Sequence, residues 1–275
     1  MKALKNLVIF AAMLLPLTLS AQDIKENLKW TDLKNGIQTA YFQGELWGEP
    51  RYVAIVKYNP KRYSTQVLDA QRDQSASTDV LAARVGAKGA VNAGYFNMRE
   101  LTPVTDISLD GKVLGRTTPG ETFRVNGMVV IKDKKGHKIS IEHREDATID
   151  AIMEKSHAVI SAGPLLLKDG VNQPGEDKGG FATGTHNRSV IGIDYEGNVW
   201  YIAVDGRFKD VCTGMSISDL TRLCRELGLK DALNLDGGGS TQVWTSVQGT
   251  LNHPSDNRRF DREGGRTVPN IIYFK

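Results

Sequence analysis

The chain has 275 residues, and its 35 basic and 32 acidic residues nearly cancel to a formal net charge of +3 at pH 7. A nucleic-acid-binding protein usually carries a marked excess of positive charge on one surface. This chain has no such excess, so no nucleic-acid partner is expected. With an N-terminal targeting segment set aside, roughly 250 residues remain, which is enough to bury a substantial core.

The first 21 residues have the pattern of a secretory signal peptide. Lys2 and Lys5 form a short basic region, residues 7–19 are apolar, and residues 20–22 (SAQ) contain a candidate cleavage site. The apolar run is too short for a comfortable bilayer span, and no cysteine stands at the junction to carry a lipid anchor. The sequence therefore predicts an exported protein, periplasmic or extracellular, with no stable membrane anchor.

The amino-acid composition changes near residue 51 and divides the rest of the chain into two parts. Residues 22–50 are polar with a few aromatics and are predicted to form an N-terminal arm, packed on a domain that comprises residues 51–275. Residues 52–56 (YVAIV) predict a strand, residues 78–85 a short helix ended by Gly86, and residues 89–92 (GAVN) a buried strand.

Hairpins dominate the rest of the domain. Asp-Gly and Asn-Gly pairs, which favour tight turns, fall within or directly after several apolar runs. The predicted elements are hairpins over 107–114 and 123–131, strands over 190–194 and 199–204, a helix over 218–227, and strands over 232–235 and 268–274. Two further apolar runs, 159–160 and 165–167, flank a Gly-Pro, and an Asp-Gly follows at 169–170. Because strands outnumber helices, the predicted class is α+β: a single domain built on a mixed, hairpin-rich β-sheet with a few flanking helices.

The two cysteines, Cys212 and Cys224, could pair in an oxidising compartment. Cys224 shares one helical face with three leucines, so it is predicted to be a core residue and a disulfide is not expected. CxxC pairs and Cys/His clusters are absent from the sequence, so local spacing predicts no zinc site. No cofactor is predicted, and the sequence leaves a metal site and the oligomeric state open.

A carboxylate followed by three glycines stands in residues 236–240 (DGGGS), between two apolar runs. Consecutive glycines are costly in conformational entropy and occur where the backbone needs positive φ or where a ligand approaches closely. Successive N–H groups in such a turn can bind an anion, and Asp236 stands beside them. The alternative is an ordinary tight loop.

Further polar residues stand at the ends of predicted strands. Residues 92–97 (NAGYFN) suit a sugar ring, although taken alone they are better explained as core aromatics and turn-forming asparagines. Arg188 could clamp a phosphate through two hydrogen bonds, although a strand-edge arginine more often pairs with a surface carboxylate. Asp205 and Arg207 end the partner strand. Asp205 could be catalytic, orient Arg188 or cap its own turn, and orientation is the favoured interpretation.

Two histidines and a basic cluster are interpreted as solvated. His186 and His253 stand in polar loops, and neither is assigned to the site. The basic residues near the C-terminus, which include Arg266, are interrupted by acidic residues and fit a solvated loop.

Taken together, these blocks resemble the phosphodiester glycosidase family over roughly residues 51–275. The resemblance depends on the order of several short motifs rather than on any one of them. The motifs are residues 92–97 (NAGYFN), 161–166 (SAGPLL), 186–194 (HNRSVIGID), 204–207 (VDGR), 232–240 (ALNLDGGGS), 252–256 (NHPSD) and 266–270 (RTVPN). Family members often have proline where Asn187 stands.

The resemblance implies a secreted hydrolase that cleaves the glycosidic C–O bond of a sugar-1-phosphodiester, with an envelope or capsular glycan as its carbohydrate phosphodiester substrate. The implied catalytic residues are Asp236, Asp205 and Arg188. The implied substrate-binding residues are Asn92, Tyr95, Phe96, Asn97, Gly163, Thr185, Arg207, Gly237, Gly238, Gly239 and Ser240.

The chemistry of this reaction matches the residue types. A phosphodiester is a weak base as a leaving group, so the reaction needs a cationic clamp, a carboxylate beside the developing oxocarbenium ion and a placed water. Arg188 and Arg207 suit the clamp, and Asp236 suits the carboxylate, as nucleophile or as base for water. Two alternatives stay open: a non-catalytic glycan-binding protein on the same scaffold, and a metal-dependent phosphodiesterase that cleaves the P–O bond, which normally uses a carboxylate and histidine cluster.

Overall fold

The computed structural model describes residues 24–173 and 179–275. The predicted signal peptide, residues 1–21, lies outside the described residues. Within them the chain is mostly strand with short helices, which confirms the α+β class. In the same two ranges, every helix is too short or too polar to cross a bilayer.

The largest sheet positions the candidate site. It has eight strands in the described residues, in the spatial order β1 (Lys29–Leu33), β2 (Ile37–Leu46), β3 (Glu49–Tyr58), β16 (Val199–Val204), β15 (Arg188–Asp194), β17 (Leu229–Asn234), β13 (Leu165–Lys168) and β14 (Val171–Asn172).

Two five-stranded sheets pack against it. One has the order β11 (Ile139–His143), β10 (Gly127–Ile131), β12 (Ala158–Ala162), β8 (Ile107–Leu109) and β9 (Lys112–Gly115). The other has the order β19 (Gly249–Thr250), β18 (Val243–Thr245), β5 (Gly89–Asn92), β20 (Asn270–Phe274) and β4 (Thr65–Asp69). A small pair consists of β6 (Phe96–Asn97) and β7 (Thr102–Pro103).

The helices are short and lie on the outside of the sheets. They are α1 (Ile24–Asn27), α2 (Gln71–Gln74), α3 (Thr78–Arg84), α4 (Ile149–Lys155), α5 (Gly180–Thr183) and α6 (Ile217–Glu226), with a 3-10 turn at Gly238–Ser240. The α6 helix begins at the N-cap Ser216, whose side chain accepts a hydrogen bond from the Asp219 N–H. It ends before Gly228, which has φ +82°.

Two details of the predicted β-structure need correction. Every strand pair in the described residues is antiparallel, and the strands divide among several sheets rather than forming one mixed sheet. Parallel neighbours need crossover connections, usually helical, and hairpins predominate here. The predicted hairpin over 123–131 is also wrong, because β10 pairs with β11 across a turn at residues 133–136. Asn126 instead accepts a hydrogen bond from the Leu165 N–H through its side chain.

Residues 24–50, the described part of the predicted N-terminal arm, supply two strands of the largest sheet. Strand β2 pairs with β3 along its whole length, and β1 pairs with β2 to form the outer edge. Alternate side chains of β2, among them Ala40, Phe42 and Leu46, are buried in the core. These residues therefore belong to the same hydrogen-bonded sheet as the predicted domain.

The largest sheet is buried on both faces, since its central strands carry apolar side chains that alternate between two cores. Val53, Ile55 and Val204 pack with α6 on one face. Ala54, Val56 and Ala203 pack on the other face against the two smaller sheets. Cys212 and Cys224 are buried free thiols that belong to these two different cores.

Candidate active site

A polar cavity of about 230 Å³ lies at one edge of the largest sheet, where β15 begins and β17 ends. Two larger cavities, of about 680 Å³ beside α6 and about 510 Å³ beside α1, lie elsewhere. The smaller cavity differs because arginines converge there on one carboxylate. Its lining residues are Tyr95, Arg124, Phe181, His186, Asn187, Arg188, Arg207, Asp236, Gly237, Gly238 and Arg266.

Asp236 supplies the carboxylate and is fixed from two directions. Its N–H donates to the Ala93 carbonyl at 2.9 Å, and its own carbonyl accepts from the Asn92 side-chain amide at 2.6 Å. Burial raises the pKa of Asp236 to about 6, although Arg124 and Arg266 favour the ionised form. The carboxyl group therefore titrates close to neutrality.

The glycine turn brings the backbone close to its neighbours. Gly238 has φ +61°, a conformation that glycine adopts without steric penalty. The Gly237 N–H donates to the Asp236 carboxylate at 3.0 Å, and the Gly238 N–H donates to the Asn187 carbonyl at 2.9 Å. These two N–H groups are engaged within the protein, so the side chains around the turn, rather than these groups, must provide the positive charge of the cavity.

The guanidinium of Arg188 is buried and forms no ion pair with a carboxylate of the described residues. The residue is 2% exposed, and its acceptors in the described residues are backbone carbonyls: Nε donates to Met215 at 2.9 Å, and Nη2 donates to Phe181 at 2.7 Å and to Gly184 at 3.1 Å. Burial lowers its pKa to about 10, which still leaves it cationic at neutral pH. A buried charge is normally paired, and an anionic ligand in the cavity would supply that pairing.

Arg207 lies on the other side of the glycine turn. Its φ of +66° is rare for a side chain of this size. A Cβ on Gly238 would lie 2.7 Å from Arg207 Nη2, so the guanidinium rests directly on the turn. His186 lines the same wall, and burial, with Arg188 and Arg207 nearby, lowers its pKa. His186 is therefore favoured as a neutral imidazole in this cavity.

Sequence reasoning missed five residues that line the cavity: Arg124, Arg266, Phe181, Asn187 and His186, the last of which was interpreted as solvated and left out of the site. Arg124 lies in a turn within the segment predicted as a hairpin (residues 123–131), and its guanidinium is 3.9 Å from the centre of the Tyr95 ring. Arg266, interpreted as part of a solvated loop, is held by two hydrogen bonds to Asp256, at 2.8 and 2.7 Å. Phe181 of α5 lies 5.0 Å from both the Arg124 and the Arg188 guanidinium carbons. Local sequence gave no signal for Arg124 or Phe181, because only the fold brings them to Asp236.

The structure does not bring Asp205 to the cavity lining. Arg188 is paired with Val204 across the ladder, so the neighbouring Asp205 side chain points to the opposite face of the sheet. There it is fully buried and accepts hydrogen bonds from the Asn252 side chain at 3.0 Å and the His253 backbone at 2.8 Å. Burial raises its pKa. The His253 ring nitrogen Nδ1 also lies 2.8 Å from the Asp205 carboxylate, and none of these three contacts reaches Arg188.

Several predicted substrate-binding residues do not line the cavity. Some are buried next to the residues that line it, and others lie at the surface. Asn92 is fully buried and accepts from Ser189 Oγ at 2.7 Å, so it links β15 to the Asp236 backbone. The buried Tyr95 hydroxyl donates to the Gly163 carbonyl at 2.5 Å. The residues that do not line the cavity are Asn92, Phe96, Asn97, Gly163, Thr185, Gly239 and Ser240. Of these, Asn97 and Thr185 are exposed at the surface, and Asn97 accepts from backbone N–H groups in its own turn.

The described residues, 24–173 and 179–275, contain no group of three or more His, Cys, Asp and Glu side chains placed to hold a metal ion. The cavity's own ionisable residues are four arginines, a histidine, a tyrosine and Asp236. Such a set suits an anionic organic group and places one carboxylate beside it.

Comparison with known proteins adds a family and a fold. The model of the phosphodiester glycosidase family matches residues 85–275, which confirms the resemblance inferred from the sequence motifs. No curated protein matches this chain.

Solved structures share the fold. One is the catalytic domain of zebrafish N-acetylglucosamine-1-phosphodiester alpha-N-acetylglucosaminidase, auto-inhibited by its pro-peptide, with a TM-score of 0.69 and 20% identity over 90% of this chain and 87% of that one. Another is a Synechocystis protein described as hypothetical, with a TM-score of 0.63 and 18% identity over 90% of this chain and 63% of that one. At these identities the likeness concerns the fold alone.

Proposed function

We propose, from the premise that the chain belongs to the phosphodiester glycosidase family, that it hydrolyses a sugar-1-phosphodiester at the bond between the anomeric carbon and the bridging oxygen. The observation that carries the proposal is the buried Arg188 guanidinium, which lines a cavity with Asp236 and has only carbonyl acceptors in the described residues. A phosphodiester supplies the missing negative charge, and its sugar presents the anomeric carbon to the carboxylate.

The binding of the phosphodiester falls to Arg188 and Arg207. Arg207 presents a guanidinium that can donate two parallel hydrogen bonds to phosphate oxygens. Arg188 keeps Nη1 as its donor to the phosphate, because backbone carbonyls accept from its Nε and Nη2. These donors also stabilise the negative charge that the leaving phosphate gains as the C–O bond breaks, and stabilisation of developing charge is often the largest catalytic contribution. Protonation of the leaving oxygen adds little, because a phosphomonoester is already a stable anion.

The anomeric carbon faces Asp236. In its ionised form this carboxylate stabilises the oxocarbenium-like transition state, either as nucleophile or as the base that takes a proton from water. The C–O bond breaks, its electron pair leaves with the phosphomonoester, and water supplies the new hydroxyl group on the sugar while its second proton passes to solvent. Asp205 is proposed as a positioning residue that holds the segment between β16 and Arg207 through Asn252 and His253.

The substrate and location are also proposals. The pattern of residues 1–21 supports export to the periplasm or the extracellular space, where an envelope or capsular glycan containing phosphodiester links would be accessible. Fractionation of cells that produce the full chain tests this, because retention of uncleaved protein in the cytoplasm would contradict export.

The decisive experiment is hydrolysis of a panel of sugar-1-phosphodiesters in ¹⁸O-labelled water. We expect a phosphomonoester product without label and a free sugar that carries it. Label in the phosphate would instead indicate cleavage of the P–O bond by a phosphodiesterase. Tight binding without any product would indicate a glycan-binding protein on the same scaffold.

A further inference from the structure

The four arginines of the cavity fall into two electrostatic classes. Arg188 and Arg207 form no ion pair with any carboxylate in the described part of the chain. Arg124 and Arg266 each have one: Arg124 with Glu121 and Arg266 with Asp256. The uncompensated pair attracts the phosphate most strongly, so the compensated arginines are left to face the glycosyl group.

The Glu121–Arg124 pair is built into a tight turn. The Arg124 N–H donates to the Glu121 carbonyl at 3.1 Å, and the side chains meet through Nε at 2.6 Å and Nη2 at 2.5 Å, both on one carboxylate oxygen. The side chains of Arg124 and Glu121 are 21% and 18% exposed, so water screens the pair only in part. Glu121 therefore cancels much of the arginine's charge at the cavity wall and leaves its other N–H groups as donors.

Aromatic rings hold this guanidinium in place. The Tyr95 ring lies beneath it at 3.9 Å, and the Phe181 and Phe123 rings lie 5.0 and 5.5 Å away. Stacking on aromatic faces restricts the guanidinium and adds cation–π attraction. This wall of the cavity, formed by Arg124 and the three rings, thus combines apolar ring surface with hydrogen-bond donors whose charge is largely neutralised. The rings suit the C–H faces of a neutral sugar, and the donors suit its hydroxyl groups.

We propose that the Glu121–Arg124 pair is a specificity determinant that makes the cavity accept uncharged glycosyl groups and disfavour sugars that carry a carboxylate. The inference rests on the proposed function, because it assumes that the phosphate occupies Arg188 and Arg207. A sugar carboxylate at this wall would meet the negative charge of Glu121 and would have to displace it from Arg124. A sugar hydroxyl accepts a hydrogen bond from Arg124 without disturbing the pair.

The test compares two ligands that differ only at carbon 6 of the sugar: the methyl phosphodiesters of glucose 1-phosphate and of glucuronic acid 1-phosphate. Affinity is measured by calorimetry and turnover by release of methyl phosphate. The wild-type protein is expected to prefer the glucosyl ligand. Glu121→Gln is expected to shift the affinity ratio about tenfold toward the glucuronyl ligand, because it frees the charge of Arg124 for the ligand.

A second variant and a control separate specificity from folding. Arg124→Gln leaves Glu121 unpaired and is expected to shift the ratio the opposite way. Glu142→Gln removes another partly buried carboxylate, which is paired with Lys168 at 3.0 Å away from the cavity, and is expected to leave the ratio unchanged.

The outcomes for the two proposals differ. A wild-type preference for the glucuronyl ligand, or an unchanged ratio in Glu121→Gln, would overturn the inference. Measurable affinity without turnover of either ligand contradicts the proposed hydrolysis instead, and the affinity ratios still decide the specificity.

Discussion

At the scale of single residues, Asp236 is the proposed catalytic carboxylate, and its ionised form lowers the stability of the fold. Its carboxyl group sits among arginines, yet burial raises its pKa to about 6, against an ordinary value of 3.8. The folded protein therefore binds this proton more tightly than the unfolded chain does. By linkage, ionising Asp236 destabilises the fold: the penalty is absent below about pH 4, grows between pH 4 and 6, and is fully present above pH 6.

We expect Asp236→Asn to abolish most turnover while making the protein more stable at pH 7. Loss of the carboxylate should lower kcat by roughly 10²- to 10⁴-fold, the range attributed to a positioned catalytic base. The amide avoids the burial penalty of the charge, so Tm should rise at pH 7 and change little at pH 4. Calorimetry at the two pH values checks stability, and near-normal turnover would remove Asp236 from the mechanism.

The same carboxyl group predicts the acid limb of the pH profile. If the ionised form is the active one, kcat should rise with pH and level off above about pH 6, the value to which burial raises the Asp236 pKa. Burial, with Arg188 and Arg207 nearby, lowers the pKa of His186, which favours its neutral form. Rates that fall as pH rises through 6 would show that the protonated carboxyl group is the reacting form.

At the scale of elements, the glycine turn acts mainly as a surface on which side chains rest. A Cβ on Gly239 would lie 1.8 Å from Asp256 Oδ1 and 2.3 Å from Arg266 Nη2, so this ion pair lies directly on the glycine. The sequence correctly marked a place of close approach. The group that approaches Gly239, however, is the protein's own ion pair.

We therefore expect Gly239→Ala to displace Arg266 from the cavity and to lower kcat/KM by about tenfold or more. The Tm is expected to change little. Asp256→Asn should reproduce the loss of activity, because it frees the same arginine without crowding the turn. Gly44→Ala on β2, where the nearest atom is the Phe42 ring at 3.1 Å, serves as the remote control. Full activity of Gly239→Ala would show that Arg266 can be moved without consequence.

At the scale of the whole molecule, the N-terminal residues complete the sheet on which the site is built. Strand β2 covers the full length of β3, and β3 pairs with β16, which ends at the cavity edge. Ile24, Phe42 and Leu46 are nearly inaccessible to solvent in the core shared with α6. Burial of each large apolar side chain contributes roughly 1.5–3 kcal/mol, against a total stability of about 5–15 kcal/mol for a typical protein.

Deletion of residues 1–46 is thus expected to abolish cooperative unfolding, whereas deletion of residues 1–21 should leave it intact. Thermal unfolding followed by circular dichroism distinguishes the two variants. A cooperative transition of the shorter chain within a few degrees of the longer one would show that residues 47–275 fold independently of the first two strands.

The sequence by itself determined the family, the α+β class and most of the strands. Apolar runs and turn pairs are local signals, and residues 92, 188 and 236 stand in motifs that keep their order along the chain. It also marked Arg188 and Asp236, because Arg188 begins a buried strand and Asp236 closely follows another.

Only the tertiary structure decided which charges meet. Arg124, Phe181 and Arg266 come from three distant segments, and the side-chain alternation that turns Asp205 away from Arg188 follows from the ladder register. Electrostatic interactions depend on distance through space and on burial rather than on separation along the chain. For that reason the fold, and not the motifs, divides the arginines into paired and unpaired classes around Asp236.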